Sequence, residues 1–182
     1  QKENLVKKKI NTFSFYGNAK LDSTFFLLDL YNRNKFPVTV LRLYLVYGPN
    51  QDNNRVIPFV INNSIKNKEF QCSPGYQYRD FTYIDDVTSA INKSLKSNRA
   101  SGEIINIGYG RPKKMKNLIM LLVKLVGQGK PIFSKIKLRS DELIKLYPNI
   151  TKAKKLINWV PQISLKRGLY RTIKFYKNNE KS

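Results

Sequence analysis

One stretch constrains the fold more than any other: Val38-Thr39-Val40-Leu41-Arg42-Leu43-Tyr44-Leu45-Val46-Tyr47, opened by Pro37 and closed by Gly48-Pro49-Asn50. β-Branched and aromatic residues bounded by turn formers read as a strand. The near-absence of polar alternation points to a largely buried strand, as in a parallel sheet. With helical patterns on either side, that strand places the chain in the α/β layer class.

The flanking segments supply those helices. Residues 17–34 carry Leu21, Phe25, Leu28 and Tyr31 at helical spacing, and residues 56–66 form a second helical stretch. Phe81–Ile84 reads as a short strand, and Asp85-Asp86 open a helix whose apolar positions are Val87, Ala90, Ile91 and Leu95. Glu103–Ile107 is a further strand ended by Gly108, and Met115–Val126 an amphipathic helix stopped by Gly127. Ser164 is an N-cap for a last helix over 165–177. Long loops are expected at 50–54, 73–77 and 127–130, and no linker or repeat divides the chain.

Charge offers a competing lead. Thirty-four Lys+Arg against twelve Asp+Glu give +22, which invites a nucleic-acid reading. Yet the excess is 25 Lys against 9 Arg, and it accompanies 19 Asn and 17 Ile. Such a spread is a compositional habit, whereas phosphate recognition favours the planar arginine fork. The runs Lys7-Lys8-Lys9 and Lys113-Lys114-x-Lys116 belong to no helix-turn-helix, zinc-finger or aromatic RNA-binding signature and read as solvated faces. No specific nucleic-acid partner is expected.

The absence of histidine removes Ser–His–Asp and Cys–His catalysis, and the single Cys72 removes a disulfide framework or a multi-cysteine metal site. No apolar stretch approaches the roughly 20 residues of a membrane span, and the first residues, Gln1-Lys2-Glu3-Asn4, do not resemble a signal peptide. Cytoplasm is the expected location. The missing initiator methionine suggests a chain trimmed or cut from something longer.

What chemistry remains is concentrated at Tyr16-Gly17-Asn18-Ala19-Lys20. Residues four apart share a helix face, so a phenol and an ammonium can converge on one ligand. An adjacent cation favours phenolate, suiting such a pair to acid/base work between an alcohol and a carbonyl. Taken alone the pattern is weak in a chain with 11 Tyr and 25 Lys.

Its context is stronger. Tyr16–Lys20 is followed in order by Leu41-Arg42-Leu43-Tyr44-Leu45-Val46-Tyr47-Gly48-Pro49, Arg55-Val56-Ile57-Pro58-Phe59-Val60, and Tyr78-Arg79-Asp80-Phe81-Thr82-Tyr83-Ile84-Asp85-Asp86-Val87. Ile105-Asn106-Ile107-Gly108, Thr151-Lys152-Ala153-Lys154-Lys155-Leu156 and Asn158-Trp159-Val160-Pro161 complete the series. Together, over residues 16–176, the chain resembles the NAD-dependent epimerase/dehydratase family, the extended short-chain dehydrogenase/reductases acting on nucleotide sugars.

The resemblance implies a fold and a set of roles. The chain would be the C-terminal part of a Rossmann-like parallel sheet plus the smaller α/β substrate-binding lobe, without the N-terminal dinucleotide-binding half. It implies NAD or NADP as cofactor, a nucleotide-diphosphate sugar as substrate, and homodimers paired through helices near the Tyr-x-x-x-Lys motif. Tyr16 would be the acid/base, Lys20 would hold the nicotinamide ribose and favour the Tyr16 phenolate, and Tyr44 would lie beside the cofactor. Arg79 and Arg139 would bind the diphosphate, and Arg55, Asn106 and the segment containing Phe70 and Cys72 would line the nucleotide pocket.

Each assignment has a structural alternative. Arg79-Asp80 can also be read as a local ion pair, Asn106 as a strand cap and Glu142 as surface charge. Asp85-Asp86 read better as a helix start, Cys72 better as a small pocket or core residue than a nucleophile, and Trp159-x-Pro161 as packing. Tyr16 and Lys20 rank first as site residues, then Arg79, then Arg139. The sequence also departs from the family: it contains no Gly-rich strand–turn–helix before Gly17. Ser14 lies too close to Tyr16 to replace the family's catalytic Ser/Thr, and Leu45 stands where many members have a substrate-contacting Asn. The expected function is that of a fragment of an epimerase, dehydratase or 4-ketoreductase, inactive alone. The alternatives are a non-catalytic nucleotide-sugar-binding remnant and a basic nucleic-acid-binding module.

Overall fold

The computed structural model describes Glu3 and residues 15–179; Lys7-Lys8-Lys9 and Ser14 lie outside the described residues. The order is α1 (Phe15–Asn34), β1 (Thr39–Leu43), β2 (Leu45–Tyr47), α2 (Val56–Ile65), β3 (Glu69–Gln71), β4 (Tyr78–Arg79) and β5 (Phe81–Tyr83). There follow α3 (Ile84–Leu95), β6 (Glu103–Ile107), β7 (Lys113–Lys114), α4 (Met115–Val126), β8 (Lys130–Ile132), β9 (Lys145–Leu146), α5 (Thr151–Ile157) and α6 (Leu165–Asn179).

The long apolar run is indeed extended, but it serves two neighbours. β1 pairs in parallel with β6, Thr39 opposite Glu103 through Leu43 opposite Ile107. Tyr44 then donates its N–H to the Ile107 carbonyl at 3.1 Å, closing that ladder. Leu45–Tyr47 turn to pair in parallel with Phe81–Tyr83. The expectation of a largely buried strand needs correction. β1 is half-buried, and Leu43 and Leu45 are 47% and 38% exposed. Among the described residues β1 pairs with β6 alone, and α1 buries only Thr24.

Two apolar clusters hold the rest. Tyr47, Phe81 and Tyr83 from the β2–β5 pair meet Ile57, Val60 and Ile61 of α2, Leu118, Ile119 and Leu122 of α4, and Leu165, Leu169 and Ile173 of α6. The spacings in α4 and α6 are the three- and four-residue steps of one helix face. The second cluster sets Val87 and Ala90 of α3 and Ala153 and Ile157 of α5 against Ile105 and Ile107 of β6, with Trp159 wholly buried among them. α4 ends at Gly127, whose φ of +98° is the left-handed stop that favours glycine. At α6 the Ser164 hydroxyl accepts the Arg167 N–H at 3.3 Å, the expected N-cap.

Asp86 does more than start α3. Its buried carboxylate accepts the N–H groups of Gln162 (2.8 Å) and Ile163 (3.0 Å), and Trp159 donates its indole N–H to the Asp86 carbonyl at 3.0 Å. Asp85 is exposed and pairs with Arg171 at 3.2 Å.

Candidate functional site

Two groups of predicted residues emerge in different places. The first lies at the start of α1. Tyr16 and Lys20 stand one turn apart, and the Lys20 Nζ is 5.5 Å from the centroid of the Tyr16 ring. Tyr16 is 74% exposed, so its hydroxyl is accessible to a ligand. Tyr44 directly follows β1; burial pushes its phenol up, with Arg42 opposing.

The second group is built around β4, the centre of a three-stranded sheet between β7 and β9. Arg79 is 8% exposed. One of its terminal nitrogens donates to the Tyr78 carbonyl at 2.7 Å, and the other to Glu142 Oε1. Arg139 donates from Nε (3.3 Å) and Nη2 (3.1 Å) to the second oxygen, Glu142 Oε2. Asp141 lies 3.7 Å from the Arg139 Nε. Two guanidiniums thus close on one carboxylate, each on its own oxygen; the Arg79 and Glu142 side chains are largely buried, whereas that of Arg139 is 77% exposed.

Glu142 is therefore not surface charge, and the full arrangement was not visible locally because Arg79 comes from 63 residues away, although Arg139 is only 3 residues off. Nor do Arg79 and Asp80 form an ion pair. Asp80 is fully buried and accepts the N–H groups of Tyr109 (2.5 Å) and Arg111 (3.0 Å), fixing the loop after β6 beside the arginine. Burial pushes its carboxyl up, against the lowering effect of those hydrogen bonds.

The remaining predicted residues are placed as follows. Phe70 and Cys72 are core residues, 4% and 6% exposed, with Phe70 edge-on to Phe59 at 5.8 Å; burial pushes the Cys72 thiol up. Asn106 is buried in β6 opposite Arg42, its N–H donating to the Glu3 carboxylate at 3.3 Å. Arg55 is exposed in the turn leading into α2. Among the described residues no hydrogen bond or ion pair joins Tyr16 or Lys20 to the arginine pair, and no acidic or cysteine cluster could hold a metal. No helix among them is long and apolar enough to cross a membrane.

The residues present fit one end of a nicotinamide dinucleotide. An exposed phenol and ammonium on one helix face suit a ribose and a reacting hydroxyl, whereas the sequence carries no Gly-rich cradle for the two phosphates.

Comparison with known proteins gives these features a context. The model of the NAD dependent epimerase/dehydratase family matches residues 1–108. The chain is 35% identical over 144 residues to the UDP-glucuronate 4-epimerase of Thermodesulfobacterium geofontis, covering 78% of this chain and 44% of that one. The UDP-glucose 4-epimerase of Thermotoga maritima, solved with UDP-glucose, superposes with a TM-score of 0.87 at 28% identity, over 93% of this chain and 55% of that one. The UDP-glucuronic acid 4-epimerase of Bacillus cereus, solved with NAD, gives 0.81 at 28% identity, over 94% and 53%. The chain spans about half the length of the curated relatives it matches.

Proposed function

The chain belongs to the NAD-dependent epimerase/dehydratase family, and we propose that it is the C-terminal portion of a nucleotide-sugar epimerase, dehydratase or 4-ketoreductase. In this reading it carries most of the sugar-nucleotide side and the acid/base pair. The observation that carries it is the closure of Arg79 and Arg139 on a single anion, the Glu142 carboxylate. Guanidinium forks match the oxygens of a diphosphate as they match a carboxylate.

NAD or NADP, when bound, supplies hydride acceptance and return at a sugar carbon. Lys20 holds the nicotinamide ribose, and the Tyr16 oxygen takes the sugar hydroxyl proton and gives it back. Tyr44 bounds the reacting end, and Arg79 and Arg139 anchor the diphosphate so that the sugar reaches Tyr16. Arg55 and Asn106 extend the nucleotide side, with Phe70 and Cys72 as the packed floor beneath it.

Isothermal titration of the 182-residue chain with UDP-glucose tests the binding half of this proposal. Saturable binding abolished by Arg79→Ala is expected, and binding indifferent to that change would refute it. The same chain mixed with NAD and UDP-glucose is expected to give no turnover, since it lacks the phosphate cradle; measured turnover would overturn that part.

A further inference from the structure

The arginine pair has a charge balance that the diphosphate reading does not by itself explain. Arg79 and Arg139 are cations, but Glu142 lies between them and Asp141 lies 3.7 Å from Arg139. Two cations against two anions leave no net positive charge for an anionic ligand. A source of uncompensated charge is needed nearby.

The sheet provides one. β4 and β7 are antiparallel neighbours in which Arg79 stands directly opposite Lys113. Residues facing each other across such a pair project to the same side, with Cβ atoms roughly 4.5–5.5 Å apart. Lys113 is exposed, and no ion pair engages it among the described residues. Its neighbour Lys114 is opposite Tyr78 and so belongs to the other side of the sheet. The lysine run that reads in the sequence as a solvated face therefore places one cation, and only one of the two strand lysines, on the Arg79 side.

We propose that Lys113 is a binding residue of the Arg79–Arg139 site, supplying the positive charge that the two arginines have already committed to Glu142 and Asp141. Its flexible four-carbon stem carries a point charge that meets a phosphate oxygen without requiring the fixed geometry of a guanidinium. The ligand class is the diphosphate of a nucleotide, so this inference rests on the reading given under Proposed function.

Inorganic pyrophosphate and UDP, titrated against the full chain at low salt, test it. Lys113→Gln is expected to weaken both by about fivefold to tenfold, the range of a partly exposed charge-assisted contact. Lys113→Arg should retain most of the affinity. Lys114→Gln, the same charge change on the other side, should leave it unaltered, and circular dichroism confirms that each variant is folded. An unchanged affinity in Lys113→Gln, or an equal loss in Lys114→Gln, overturns the role of Lys113 while leaving the arginine site standing. Pyrophosphate binding that is absent, or indifferent to Arg79→Gln, overturns the diphosphate site and Lys113's place in it together.

Discussion

Replacing Gly168 by alanine sets two effects of opposite sign against each other, and the structure decides between them. Gly168 lies in the first turns of α6, and an alanine inside a helix is ordinarily favoured over glycine by about 0.5–1 kcal/mol. A Cβ there, however, would collide with the Tyr47 hydroxyl and stand 2.9 Å from both Tyr47 Cζ and Tyr83 Cδ2. Tyr47 cannot easily swing aside: it is 2% exposed, its hydroxyl donates to the Leu165 carbonyl at 3.2 Å, and its ring is edge-on to Phe81 and Tyr83. Overpacking costs roughly 1–3 kcal/mol, and a displaced buried hydroxyl left without a partner another 1–3 kcal/mol or so. The clash wins, and Gly168→Ala should destabilise the protein by about 2–4 kcal/mol. For a chain of this size that lowers Tm by roughly 5–15 °C. Urea and thermal denaturation followed at 222 nm measure it. Stability equal to or above that of the unmodified chain would show that the tyrosine pair yields, and the packing argument would fall.

Three further outcomes follow from features already described. Asp86→Ala removes the acceptor of two main-chain N–H groups in a buried setting and should cost about 2–4 kcal/mol in the same urea assay. Cys72, buried and with its thiol pushed up, should react with a thiol reagent at pH 8 only under denaturing conditions; rapid labelling of the native chain would contradict its placement. Glu142→Gln keeps the shape of the residue between the arginines while removing its charge, and should raise pyrophosphate affinity by about tenfold in calorimetry; a loss would instead make the Glu142 charge necessary for holding the forks in place.

The sequence made some of this architecture legible because the information is local. The three- and four-residue steps of Val87-Ala90 and Leu118-Ile119-Leu122 specify helix faces without reference to distant residues. The run at 38–47 announces extended chain but not its division at Tyr44, which depends on Ile107 supplying the last acceptor. β4, β7 and β9 have two residues each and no periodicity to detect; they exist because Tyr78 finds Lys114 on one side and Lys145 on the other. At the site, arginine chemistry was recognisable in Arg79 and Arg139. The acid between them was not, because the arginine that engages Glu142 Oε1 stands 63 residues away in the chain.

The exposed apolar side chains of α1 and β1 have a consequence for the protein in solution. Phe15, Tyr16, Phe26, Phe36 and Leu43 are all exposed, and clustered apolar side chains of this kind form a surface on which copies of a chain tend to stick. The lysine excess, uninformative about partners, acts against that tendency, because molecules each carrying +22 repel one another at low ionic strength. Repulsion of this kind fades once the screening length falls to a few ångströms near 1 M salt. The colloidal behaviour of the chain is then set by a contest between its exposed apolar side chains and its charge, with salt as the control.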